Sequence, residues 1–157
     1  MDPPSVQVTF YSTGSDWKAS MPGYKSGSFY GTIFDRDHWL TNITPGHFVT
    51  FKLAPGRHRF TLARAEPGIK STQRSTSLSI VFEENHHYYI GTYLKTGLIL
   101  GIQTPRIEQT NCEDAQEHAR AAKPLESKLA AEDSISLVVR ESAFPSCSEE
   151  LPSTQKR

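Results

Sequence analysis

Hydrophobic and polar residues alternate in short runs along most of this chain, with the two-residue period of half-buried β-strands. Val6 to Tyr11 (VQVTFY) alternates in this way and is rich in β-branched and aromatic residues. Phe29 to Phe34 and His38 to Ile43 carry the same signature. Thr44-Pro45-Gly46 then predicts a turn, because proline presets φ and glycine supplies a positive one. From Phe48 to Leu53, Val49, Phe51 and Leu53 share one face; from Arg57 to Ala63, His58, Phe60 and Leu62 share one face and Arg57, Arg59 and Thr61 the other. Ala54-Pro55-Gly56 lies between these two runs, and a Pro-Gly turn between alternating segments predicts a β-hairpin.

Further along, Leu78, Ile80 and Phe82 alternate with Ser77, Ser79 and Val81, and His87 to Leu94 (HYYIGTYL) is a strongly β-forming run. In that run Tyr88 and Tyr89 must face opposite sides, one toward the core and one toward the surface. Leu98 to Gln103 and Arg106 to Thr110 read as two more strands separated by Thr104-Pro105, while residues 12–27 and 65–75 read as polar loops. After Asn111 the pattern changes. Residues 112–123 (CEDAQEHARAAK) lack β-branched residues, follow a favourable N-cap, and place Glu113 and Asp114 in the first turn, which predicts a helix. Pro124 interrupts it, Leu125 to Glu132 has helical character, and Ile135 to Arg140 reads as a late strand. The set predicts a mainly-β protein, an antiparallel β-sandwich of immunoglobulin-like or PEGA-like type with one short helix toward the C-terminus. Its domain spans residues 1–123, closed by the helix, and residues 124–157 form a C-terminal extension.

Bulk properties narrow the partners. The chain has 157 residues, enough for one domain with its own core. Seventeen Lys and Arg balance 17 Asp and Glu, so the basic excess that binds nucleic acid is absent. No apolar run approaches the roughly 20 residues of a membrane-spanning helix. Met1-Asp-Pro-Pro-Ser5 has no signal-peptide layout, which fits a cytosolic protein or an exported chain whose leader has been removed. Two cysteines, Cys112 and Cys147, form a disulfide in an oxidising compartment or stand as independent thiols in a reducing one.

Candidate chemistry is sparse, and no cofactor motif is present. Six histidines occur without HxH or HxxxH spacing, so His38, His47 and His58 could meet around a metal ion only through tertiary pairing. Asp35 and Asp37 flank Arg36 and form either an acid/base pair or a solvated turn. There is no G-x-S-x-G nucleophile elbow and no phosphate loop. Aromatic residues remain: Trp17 and Tyr24 in the first loop, with Tyr30 and Trp39 nearby in sequence, are candidates for a surface that recognises peptide, glycan or protein. The alternative is that the loop packs them onto the sandwich edge.

Three pieces occur in order: Leu53-Ala-Pro-Gly56-Arg-His58; His87-Tyr88-Tyr89-Ile90; and Gly97-Leu-Ile-Leu-Gly101 followed by Pro105-Arg106-Ile107-Glu108. Through these, residues 6 to about 123 resemble a family of small bacterial exported proteins and lipoproteins of unknown function, and more distantly the PEGA-type β-domains. The resemblance implies a β-sandwich, export to the periplasm or cell envelope, and no catalytic residues. No lipid-attachment cysteine stands near the start, so membrane tethering would require a leader that has been trimmed. The functional expectation is a non-enzymatic, envelope-associated binding module. The rivals are a metal-dependent or hydrolytic enzyme built from His38, His47, His58, Asp35 and Asp37, and a cytoplasmic structural domain.

Overall fold

The computed structural model describes residues 5–13, 30–65, 76–96, 103–119, 121–125, 137–139 and 143–147. Its strands are β1 (Val6–Ser12), β2 (Tyr30–Asp35), β3 (His38–Ile43), β4 (His47–Leu53), β5 (Gly56–Ala65), β6 (Thr76–Phe82), β7 (His87–Thr96), β8 (Gln103–Thr110), β9 (Lys123–Pro124) and β10 (Leu137–Val139), with one helix, α1 (Cys112–Ala119). They form two sheets. The first runs β10-β4-β1-β7-β8, with β9 also on β4, and the second runs β3-β2-β5-β6. This is the expected β-sandwich, with two parallel exceptions to its antiparallel pairing: β1 on β7, and β9 on β4.

Period-2 patterning places the core between the sheets. Val6, Val8 and Phe10 of β1, Val49, Phe51 and Leu53 of β4, and Ile90 of β7 face Ile33, Phe60, Leu62, Ile80 and Phe82 of the second sheet. Phe10 sits at the centre, edge-on to Phe51 at 6.0 Å and to Phe60 at 5.2 Å. Edge-to-face rings align the positive rim of one with the negative face of another, a preference beyond area burial.

The Pro-Gly segment between β4 and β5 does not make a hairpin. β4 pairs with β1 in the first sheet and β5 with β2 and β6 in the second, so Pro55-Gly56 carries the chain across the sandwich. A turn sequence encodes a change of direction, not a hydrogen-bond partner. Both strands have an apolar face, and both bury it by facing each other across the core. Gly56 has φ +108°, a region that side chains rarely adopt.

A second core lies on the far side of the first sheet. Tyr11, Phe48 and Tyr89, alternating with the inward residues of β1, β4 and β7, pack beneath Cys112, Ala115 and Ala119 of α1 and beneath Phe144. Tyr89 is therefore 2% exposed, so neither tyrosine of the Tyr88-Tyr89 pair is a surface residue; Tyr88 packs partly buried on the inner core. Positions 112, 115 and 119 fall on one helical stripe, and the two small alanines let the helix approach the sheet closely. Asn111 caps α1 as expected, its Oδ1 accepting from the Asp114 N–H at 2.7 Å.

The helix ends at Ala119, short of the expected 123, and the chain then pairs Lys123–Pro124 with β4. Thr104-Pro105 lies within β8 and does not interrupt it, while residues 98–102 of the strand expected before it lie outside the described residues. Proline is tolerated there because β8 is an edge strand. The late strand appears as β10, antiparallel to β4 at Thr50–Lys52. Cys112 and Cys147 are disulfide-bonded with their Cα atoms 5.7 Å apart, which ties Phe144 and its neighbours to α1.

Candidate functional site

One group of predicted chemical residues meets. Asp35 ends β2 and His58 lies near the start of β5; both point to the inner face at one end of the sandwich, since Asp35 pairs with inward Phe60 and His58 with inward Ile80. His58 Nδ1 is 2.7 Å from Asp35 Oδ2, and His58 Nε2 is 2.7 Å from the Ala54 carbonyl oxygen. Both neighbours only accept, so both ring nitrogens donate, and the ring is an imidazolium. It lies parallel to Phe60 at 5.6 Å and tilted over Phe82 at 5.0 Å. Burial is the largest influence and disfavours the cation, yet the bonds to Asp35 and Ala54 and the Asp35 charge outweigh it and raise the His58 pKa. An imidazolium donating from both nitrogens has no lone pair left for a metal or a substrate proton. What the arrangement does is clasp β2, β5 and the β4–β5 crossing together.

The other members of that set divide between the adjoining β2–β3 turn, with His38 and Asp37, and the far end of β4, with His47. His38 is exposed, opposite Asp35 in the β2–β3 register. His47 occupies the far end of β4 from Ala54, about 20 Å away at the rise of a strand, and its Nδ1 is 2.9 Å from Thr44 Oγ1 and 3.0 Å from the Pro45 carbonyl. Asp37 is exposed beside Arg36, which takes φ 59° in the β2–β3 turn. Among the described residues, no three His, Cys, Asp or Glu side chains gather as a metal site.

Trp17 and Tyr24 lie outside the described residues. Tyr30 begins β2, opposite Ala65. Trp39 is half-buried and donates its indole N–H to Asn42 Oδ1 at 3.2 Å, an oxygen that also accepts from Thr32 Oγ1 at 2.9 Å. Asn42 is 5% exposed, so this network anchors the indole to its own sheet.

Two polar groupings were not foreseen. His87 Nε2 lies 2.7 Å from Thr9 Oγ1, which lies 2.7 Å from Thr50 Oγ1, a row across three strands of the first sheet. The ring stacks on Tyr89 at 4.5 Å, and burial pushes the His87 pKa down to about 4. Nearby, the Tyr11 hydroxyl is 3.0 Å from Thr110 Oγ1 and 3.2 Å from His118 Nδ1, with its pKa pushed up to about 12, chiefly by burial. Neither grouping is legible in sequence, because their contacts join residues 41 to 107 positions apart.

The surface feature that stands out is β6. It hydrogen-bonds with β5 on one side and with no described strand on the other, and it lies close to β8 of the first sheet. Its seven residues, TSLSIVF, hold no charge, no proline and no break in register. Outer strands β8 and β3 carry devices that discourage pairing. β8 has Pro105, Arg106 and Glu108, and β3 pairs through a register shift. On β6, Leu78 and Ile80 face the core, while Ser77, Ser79 and Val81 face outward. Val81, 60% exposed, is the exposed large hydrophobic residue among those described. The missing charge was visible in the sequence; the edge position was not.

Compared with known proteins, the chain matches no family model, no curated protein and no solved structure.

Proposed function

We propose that this chain is a non-enzymatic binding module that works outside the reducing cytoplasm, in the periplasm or at the cell envelope, and takes an extended partner segment as an added strand on β6. The observation that carries the reading is the β6 edge: seven uncharged residues with an exposed valine and, among the described residues, no strand hydrogen-bonded beyond them, where β8 and β3 are blunted by charge, proline or bulge. Strand addition draws affinity from main-chain hydrogen bonds and specificity from alternate side chains, here Ser77, Ser79 and Val81. Export is supported by the Cys112–Cys147 disulfide, since such bonds persist in oxidising compartments, and by the resemblance to small exported proteins. The non-enzymatic reading is supported by the dyad, whose donors are both committed internally.

A displayed library of random heptapeptides, selected on the native chain and on Val81→Lys, tests this. Selection is expected to yield extended, β-rich peptides on the native chain that bind Val81→Lys at least tenfold more weakly. Peptides that bind both equally would count against β6 as the contact edge.

A further inference from the structure

We infer that the occupant of the β6 edge is β6 of a second copy of this chain, paired antiparallel about a two-fold axis through Val81; this inference rests on the reading of β6 as the contact edge. An isologous interface presents the same patch twice, so the strand must complement itself. With Val81 opposite its own symmetry mate, three things follow from the register. The exposed valine is covered by an identical valine. Ile80 falls opposite Phe82 of the partner subunit, both on the inner face, so the two sandwich cores become continuous across the axis. Glu83, exposed two positions beyond Val81, falls opposite Ser79 of the other copy.

Ser79 is the residue beside Arg59 in the β5–β6 register. Each Glu83 carboxylate is thereby brought next to an exposed Arg59 guanidinium, which among the described residues reaches Ser77 Oγ, at 3.4 Å. Symmetry repeats the pair, giving two opposite-charge contacts that select this register. Centring instead on Ser79 would set Val81 against Ser77 and forgo both. The Glu83 N–H is held by the Tyr88 hydroxyl at 2.8 Å, which fixes the backbone where the carboxylate leaves the strand. Two edge strands bury less than the roughly 1,600 Å² of a standard interface, so the dimer is a weak, concentration-dependent one.

Sedimentation velocity on the full chain, over a hundredfold concentration range, reads this directly. The native protein is expected to shift from a 17.6 kDa monomer toward twice that mass as concentration rises. Val81→Lys is expected to remain monomeric, and Glu83→Arg to weaken association at least fivefold. The double variant Arg59→Glu/Glu83→Arg should restore it, which separates a specific pair from lost folding. Val81→Cys should form a disulfide-linked dimer. A chain that stays monomeric throughout, or dimerises equally well as Val81→Lys, overturns the inference. If it is monomeric but its heptapeptide binders still depend on Val81, the self-pairing fails and the binding reading stands. If neither association nor such binders exist, both fall.

Discussion

His58 and His87 are the same residue type in opposite chemical settings. His58 is held as a cation by Asp35 and Ala54, so its folded pKa lies above its unfolded one. Its stabilisation is therefore complete below the unfolded value and is lost as pH rises through the folded value. His87 is buried without a charge partner and titrates at about 4, so its contribution holds above the unfolded value of 6.5 and drains away as pH falls toward 4. Nuclear magnetic resonance titration with assigned imidazole protons is expected to place His58 above 6.5 and His87 near 4; values near 6.5 for these two would contradict both environments. Urea unfolding of His58→Gln should show its largest deficit against the native chain near pH 5.5 and a smaller one near pH 9. Alternation placed His58 on the apolar face of its strand. Its partner Asp35 lies 23 residues away on another strand, and no local pattern encodes that meeting.

At the level of elements, local signals were legible and partnerships were not. The strand periods of β1 to β7, the Asn111 cap and the switch from strand to helix follow from residue spacing and hold in the described residues. The β4–β5 connection shows the boundary. Pro55-Gly56 announces a turn, yet the two strands belong to different sheets, because strand choice depends on which faces must be covered. Replacing Gly56 with alanine, at φ +108°, is expected to destabilise the protein by about 1–2 kcal/mol, measurable as a lowered urea midpoint at unchanged slope. The second core depends on a covalent tie as well as on packing. The disulfide closes a separation of 35 residues, so Cys112→Ser/Cys147→Ser should cost about 3–4 kcal/mol in the chain-entropy model. Faster amide exchange should then appear in α1 and around Phe144, with β2 and β5 unchanged. Uniform loss across both sheets would show that the clasp is global instead.

For the molecule as a whole, the net charge is zero, and the described outer strands differ in how their edges meet solvent. Of the described outer strands, β3 and β8 are blunted, and β6 has no described strand hydrogen-bonded beyond it. That asymmetry was half legible: TSLSIVF is conspicuous for its lack of charge, but its place at the edge follows only from the sheet order β3-β2-β5-β6. Aromatic and carboxylate sites are legible by residue type, whereas a strand edge is made of backbone and of charges left out. The measurement that bears most directly on this account is hydrogen–deuterium exchange of the native chain, with and without a heptapeptide selected on it. The account predicts slowed exchange confined to residues 76–82. Protection centred on β3 or β8, or none at β6, would contradict it.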